Sequence, residues 1–175
     1  IQSSGSRVPA NIQTRPSVGI GIAKLQTAFA QVRADSRDDF LPDLIGYAEF
    51  STYLNDNLAV LLKDVRNYHP SRVIEFQVPK SPYSSRPGVS LRIEDRLIYQ
   101  AAVNSIATLI DQHLEPGDVV YGFRVVKRRA NRLLEDNVKR WLGMRKAFRL
   151  ERENFSYLAR TDLVGYFEHI DHRVL

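Results

Sequence analysis

At 175 residues, 43% of them hydrophobic and 26% charged, the chain is long enough to bury one full core and too apolar to be read as disordered. It has no cysteine, which excludes a disulfide framework and thiolate metal sites, and its longest apolar runs fall far short of the roughly 18 residues of a membrane span. The net charge of +5 is unevenly spread: from Arg124 to Arg152 eleven Lys and Arg stand against three acids, so this stretch carries +8 and the remainder −3. Such concentration reads either as a polyanion site or, more plainly, as a solvated basic helix. A reducing cytoplasm fits the lack of cysteine, and the N-terminus has no basic-then-apolar secretion plan, so a cytoplasmic location is expected. Ile1 at the front and the abrupt end at Leu175 are read as the limits of a piece of a longer chain.

In chain order, residues 1–17 are polar, with Pro9 and Pro16, and read as an extended leader. A helical region is expected over 18–70. Its first helix, from Val18 to Val32, places Ile20, Ile22, Leu25, Phe29 and Val32 near one face and is broken by Asp35-Ser36-Arg37-Asp38. Its second, from Asp43 to Tyr68, carries Tyr47, Phe50, Tyr53, Leu54, Leu58, Leu61, Leu62 and Val65, and ends before His69-Pro70 because a residue preceding proline is pushed out of the helical region. Over 71–156 the period changes. Arg72–Val78 and Arg86–Ile93 read as two strands of a hairpin with a long polar tip over Pro79–Ser85. Glu94-Asp95 open a helix to His113, acids in the first turn suiting its dipole, with Leu97, Ile98, Ala101, Ala102, Ser105, Ile106, Leu109 and Ile110 inside. Val119–Arg124 is a short apolar turn-and-strand element, and a basic helix from about Ala130 to Phe148 is expected to turn Leu133, Leu134, Val138, Trp141 and Leu142 inward. A last strand, Tyr157 to Asp162, opens the span 157–175. The whole is an α+β chain whose final sheet is mostly absent.

The series Val78-Pro79-Lys80, Arg86-Pro87, Glu94-Asp95-Arg96 with Tyr99-Gln100-Ala101, Tyr121-Gly122-Phe123-Arg124, a tryptophan helix, and Thr161–Phe167 with Ile170-Asp171-His172 resembles, in that order, bacterial reverse transcriptases, including the group II intron enzymes and most closely the abortive-infection and phage-defence branch. The resemblance covers about Val73 to Leu175 and implies the fingers and the first part of the palm of a right-hand polymerase, preceded by a helical N-terminal extension. It implies an RNA-directed DNA polymerase that transfers deoxynucleotides to a primer with two Mg²⁺ ions. RNA template, DNA primer or product and dNTPs are the implied partners; a noncoding RNA and an oligomer are compatible with it, a membrane is not.

Carried over residue by residue, Asp162 becomes the catalytic aspartate and, with the Leu163 carbonyl, a magnesium ligand; a buried acid at a strand end suits two-metal chemistry. Phe167 lies under the incoming sugar and excludes a 2′-hydroxyl, unless it is plain core packing. Lys80 and Arg86 hold the triphosphate, Arg as a bidentate grip and Lys as a point charge, against the alternative of two ordinary surface cations. Arg96 contacts the template or pairs with Glu94 or Asp95. Gly122 lets the backbone approach the nucleotide, Arg124 reaches the template backbone or an acid, and Lys127, Arg128, Arg129 and Arg132 extend the nucleic-acid contacts. Glu168, His169 and His172 are not taken as metal ligands, and Asp171 reads as the N-cap of a following helix. No Tyr-x-Asp-Asp-like turn, which carries the family's other catalytic acids, occurs in these residues, so the piece by itself is expected to be inactive. A non-catalytic nucleic-acid-binding module is the rival reading, and an unrelated domain in which Asp162 caps a turn the third.

Overall fold

The structure, a computed structural model, describes residues 19–43, 45–115, 119–126 and 131–157 together with Ala159 and Thr161. The chain divides into two compact units, Ile1–Leu114 with Val125–Leu134, and Glu115–Arg124 with Glu135–Leu175. Helices and one antiparallel two-stranded sheet make a mixed α and β chain, and no helix among the described residues is long and apolar enough to cross a membrane.

In the first unit, α1 (Ile22–Asp35) buries Leu25, Ala28, Phe29 and Val32, the i, i+3, i+4, i+7 spacing that brings one helical face together. Ile22 lies off that face, and the helix starts four residues later than expected, behind Gly21. The expected single helix over 43–68 is two: α2 (Gly46–Thr52) and α3 (Leu54–Asp64), parted at Tyr53, whose φ −116° and ψ 37° leave the helical region. Tyr53 is correspondingly exposed and not part of the core. Asp43 Oδ1 accepts the Ile45 and Gly46 N–H groups at 3.2 and 2.7 Å, satisfying donors that the first turn of α2 cannot use. A 3₁₀ turn, Val65–Asn67, follows α3 before His69-Pro70.

The hairpin pairs β1 (Ile74–Ser81) with β2 (Ser84–Ser90), Val78 facing Arg86 and Phe76 facing Gly88. Its tip is only Pro82-Tyr83, not the seven-residue turn the sequence suggested. The serines expected to loop out bond across the pair instead: Ser81 Oγ lies 2.6 Å from Ser84 Oγ, and Ser85 Oγ donates to Gln77 Oε1 at 2.9 Å. Gly88 is needed where it stands, since a Cβ there would come within 2.8 Å of a Val78 methyl and 3.1 Å of the Phe76 ring.

Helix α4 (Ile93–His113) takes Ile93 from the expected second strand and packs on α1. Leu97 and Ala101 join Leu25, Phe29, Tyr47, Leu58 and Leu61 in the core, with the Phe29 and Phe50 rings stacked 5.6 Å apart. A polar clasp runs beside it: the buried Gln31 Oε1 accepts from Asn104 Nδ2 at 2.7 Å and Gln100 Nε2 at 3.2 Å. Ala102, Ile106, Leu109 and Ile110, expected inside, are exposed. Val125 pairs with Leu134 as an isolated antiparallel bridge.

In the second unit, α5 (Asn137–Glu151) begins behind Asp136, not at Ala130. None of its residues is buried, so Val138, Trp141 and Leu142 do not turn into a core as expected. The described residues of Val119–Arg124 form no strand; the backbone turns instead through Phe123, whose φ of 56° lies in the left-handed region that costs a side chain about 1 kcal/mol or more. Gly122 meets no close protein neighbour, and a Cβ there would find nothing within 4 Å. Of the expected last strand, Tyr157, Ala159 and Thr161 are described and form no strand.

Candidate functional site

The hairpin brings the two expected phosphate-binding cations together on adjacent strands. Alternation along β1 puts Phe76 and Val78 on the face shared by Arg86 and Gly88 of β2, and Lys80 sits in the register irregularity between Pro79 and Ser81. Arg86, Phe76 and Val78 line a cleft of about 420 Å³ with Asp39, Phe40 and Arg96 on its other walls. Lys80 is not among the residues that line it. Both Lys80 and Arg86 are exposed, and neither has an acid partner among the described residues.

The cation at the start of α4 pairs with neither Glu94 nor Asp95. Arg96 forms a two-pronged ion pair with Asp39, its second prong at 3.2 Å, and its guanidinium lies 5.9 Å from the centre of the Tyr47 ring. Burial works against its charge, but the Asp39 hydrogen bond, with Tyr47, Asp39 and Asp35 nearby, outweighs burial and raises its pKa above the usual arginine value. Glu94 pairs with Arg92 at 3.6 Å, and the buried Asp95 accepts from Tyr68 Oη at 2.6 Å and Ser71 N at 3.1 Å. Arg96 is therefore a clamp between the start of α4 and the segment after α1, and a template phosphate would have to compete with Asp39 for it. Sequence reasoning missed Asp39 because its partner is 57 residues away and no local pattern announces it.

Arg132 pairs with Asp38 at 3.7 Å, both side chains well exposed. In the second unit, Arg124 Nη1 donates to the Glu115 carbonyl at 2.6 Å. Arg140 is tied down more fully: it pairs with Glu135 at 3.3 Å, donates from Nε to the Tyr121 carbonyl at 2.8 Å and lies 5.9 Å from the Tyr121 ring centre. Lys127, Arg128, Arg129, Asp162, Leu163 and Phe167 lie outside the described residues, as do Glu168, His169, Asp171 and His172. Among the described residues no group of three or more His, Asp or Glu side chains is placed to hold a metal ion.

Comparison with protein-family models, with curated proteins and with solved structures gives no match for this chain.

Proposed function

We propose that the chain supplies the fingers and the entry to the palm of a bacterial reverse transcriptase, an RNA-directed DNA polymerase extending a primer with dNTPs in antiphage defence. The observation that carries this reading is the placement of two exposed cations, Lys80 and Arg86, on adjacent strands of one hairpin, with an apolar cleft wall beside Arg86. Arg96, Arg132 and Arg140 are each paired with a carboxylate, whereas Lys80 and Arg86 stand exposed on the hairpin with no acid partner among the described residues. Unpaired cations on a two-stranded ribbon suit a polyphosphate, Arg gripping two oxygens and Lys acting as a point charge. Phe76 and Val78 beside Arg86 give the cleft an apolar wall for the rest of a nucleotide. The ordered motifs around this hairpin, ending in Asp162 and Phe167, support the same reading.

Primer extension by the full-length gene product, with RNA template, dNTPs and Mg²⁺ and a lane without template, tests it. Asp162→Ala abolishes synthesis. Arg86→Ala and Lys80→Ala each raise the KM for dNTP about tenfold or more, the loss expected for a charge-assisted hydrogen bond, and leave primer–template binding nearly unchanged. A protein that binds nucleic acid yet makes no product in any lane is instead the non-catalytic binding module.

A further inference from the structure

Helix α5 divides its surface in an unusual way. At about 100° per residue, Arg140, Gly143, Met144 and Ala147 share one side. That side is occupied: Arg140 holds the Tyr121 carbonyl, Gly143 lies against the Tyr121 ring, where a Cβ would be 3.8 Å from a ring carbon, and Met144 and Ala147 are half-buried. Across the helix, Trp141, Arg145, Phe148, Arg149 and Arg152 recur at helical spacing and form a stripe spanning roughly 100° of the surface. All five are exposed, Trp141 and Phe148 at 49% each. Lys146 and Lys139 flank them. The sole acid of the helix, Glu151, falls on the Arg140 side. None of Lys139, Arg145, Lys146, Arg149 and Arg152 has an acid partner among the described residues, and Arg145 stacks its guanidinium 4.7 Å from the Trp141 ring centre.

We infer that this stripe of α5 is a binding surface for a single strand of RNA or DNA. Two large aromatic side chains left half in water on an exposed helix represent apolar area that a partner would cover, and the cations between them fix that partner's charge as negative. Planar groups are what an unpaired base requires. Bases stack on aromatic rings and on arginine planes without regard to sequence, while neighbouring cations take the phosphates. A duplex keeps its bases stacked on one another and would leave Trp141 and Phe148 unused. An anionic membrane is disfavoured by the order of the side chains: an interfacial helix segregates its apolar face from its charges, whereas Arg145, Arg149 and Arg152 lie between and beside the aromatics and would be carried below the headgroups with them. The inference does not rest on the polymerase reading, since a non-catalytic module would use the same surface.

Trp141 is the only tryptophan in the chain, so its emission reports on this surface alone. Titrating the full chain with short oligo-dT and, separately, oligo-U is expected to quench that emission saturably, and raising salt from about 50 to 200 mM to weaken binding steeply. Replacing Arg145, Arg149 and Arg152 together by Gln lowers affinity at least about tenfold and flattens the salt dependence. Trp141→Leu, followed by the anisotropy of a labelled oligonucleotide, loses about tenfold, with the far-UV circular dichroism of both variants unchanged. The inference is overturned by any of four results: binding without quenching, equal affinity for the triple variant, equally strong quenching by duplex DNA, or a blue shift with anionic vesicles and no response to oligonucleotides. Absence of binding in every arm overturns it as well.

Discussion

Tyr47 and Tyr68 show how far a residue's role depends on what its last atom meets. Tyr47 is 5% exposed and its hydroxyl is buried with no hydrogen-bond partner among the described residues. Tyr68 donates its hydroxyl to Asp95 beside the Ser71 N–H. The same substitution therefore has opposite outcomes. Tyr47→Phe is neutral or stabilises by up to about 1 kcal/mol, because it removes a polar atom that burial penalises, while Tyr68→Phe costs about 1–2 kcal/mol by leaving Asp95 short of a donor. Urea unfolding of the two variants separates them. The pH dependence sharpens the contrast. Burial first, then the hydrogen bond to Asp95, push the Tyr68 phenol well above its ordinary 10.0, so the fold holds that proton after the unfolded chain has lost it. The advantage of wild type over Tyr68→Phe is accordingly constant below about pH 10 and shrinks as pH rises from there toward the folded-state value. An advantage that grew above pH 10 would refute the assignment of Tyr68 as donor.

At the level of elements, α5 is the helix least supported by packing and so the one that depends most on its ends. Asp136 Oδ1 accepts the Val138 and Lys139 N–H groups at 2.9 and 3.1 Å, two of the donors that a first helical turn leaves without partners. Asp136→Ala is expected to cost about 1 kcal/mol and to fray the turn before Trp141, with Asp136→Asn restoring most of it. Amide exchange at Lys139 to Leu142 reads this directly. The start of α5 also marks where sequence reading stops. The structure starts the helix behind Asp136, whereas Leu133 and Leu134 continue the apolar period backwards and draw the expected helix to Ala130; those leucines instead lie at the bridge to Val125. The face of α1 and the extent of α4 follow local spacing and were legible for that reason. The break at Tyr53 has no glycine or proline to signal it, and the short hairpin tip depends on serine pairs that a polar composition does not distinguish from a loop. In the candidate site, Lys80 and Arg86 were legible as cations on a hairpin, whereas the partner of Arg96 lies 57 residues away and could come only from the fold.

For the molecule as a whole, the question is where its stability lies and what the remaining apolar surface is for. Leu25, Leu58 and Leu97 are completely buried in the first unit, packed among Phe29, Tyr47 and Ala101. Truncating one of them loses both its transfer energy and the contacts around the cavity that remains, so Leu97→Ala is expected to cost about 2–5 kcal/mol. Leu142 has the same side chain on α5 but is 52% exposed, and Leu142→Ala should cost less than about 1 kcal/mol. Urea unfolding followed by far-UV circular dichroism compares them. A large loss at Leu142 would mean that α5 is held by packing after all, and would recast Trp141 and Phe148 as structural side chains. The expected small loss has the opposite meaning: the exposed side of α5, unlike the side on which Arg140 holds Tyr121, contributes little to folding, and a binding defect in the arginine stripe can be read as a lost contact.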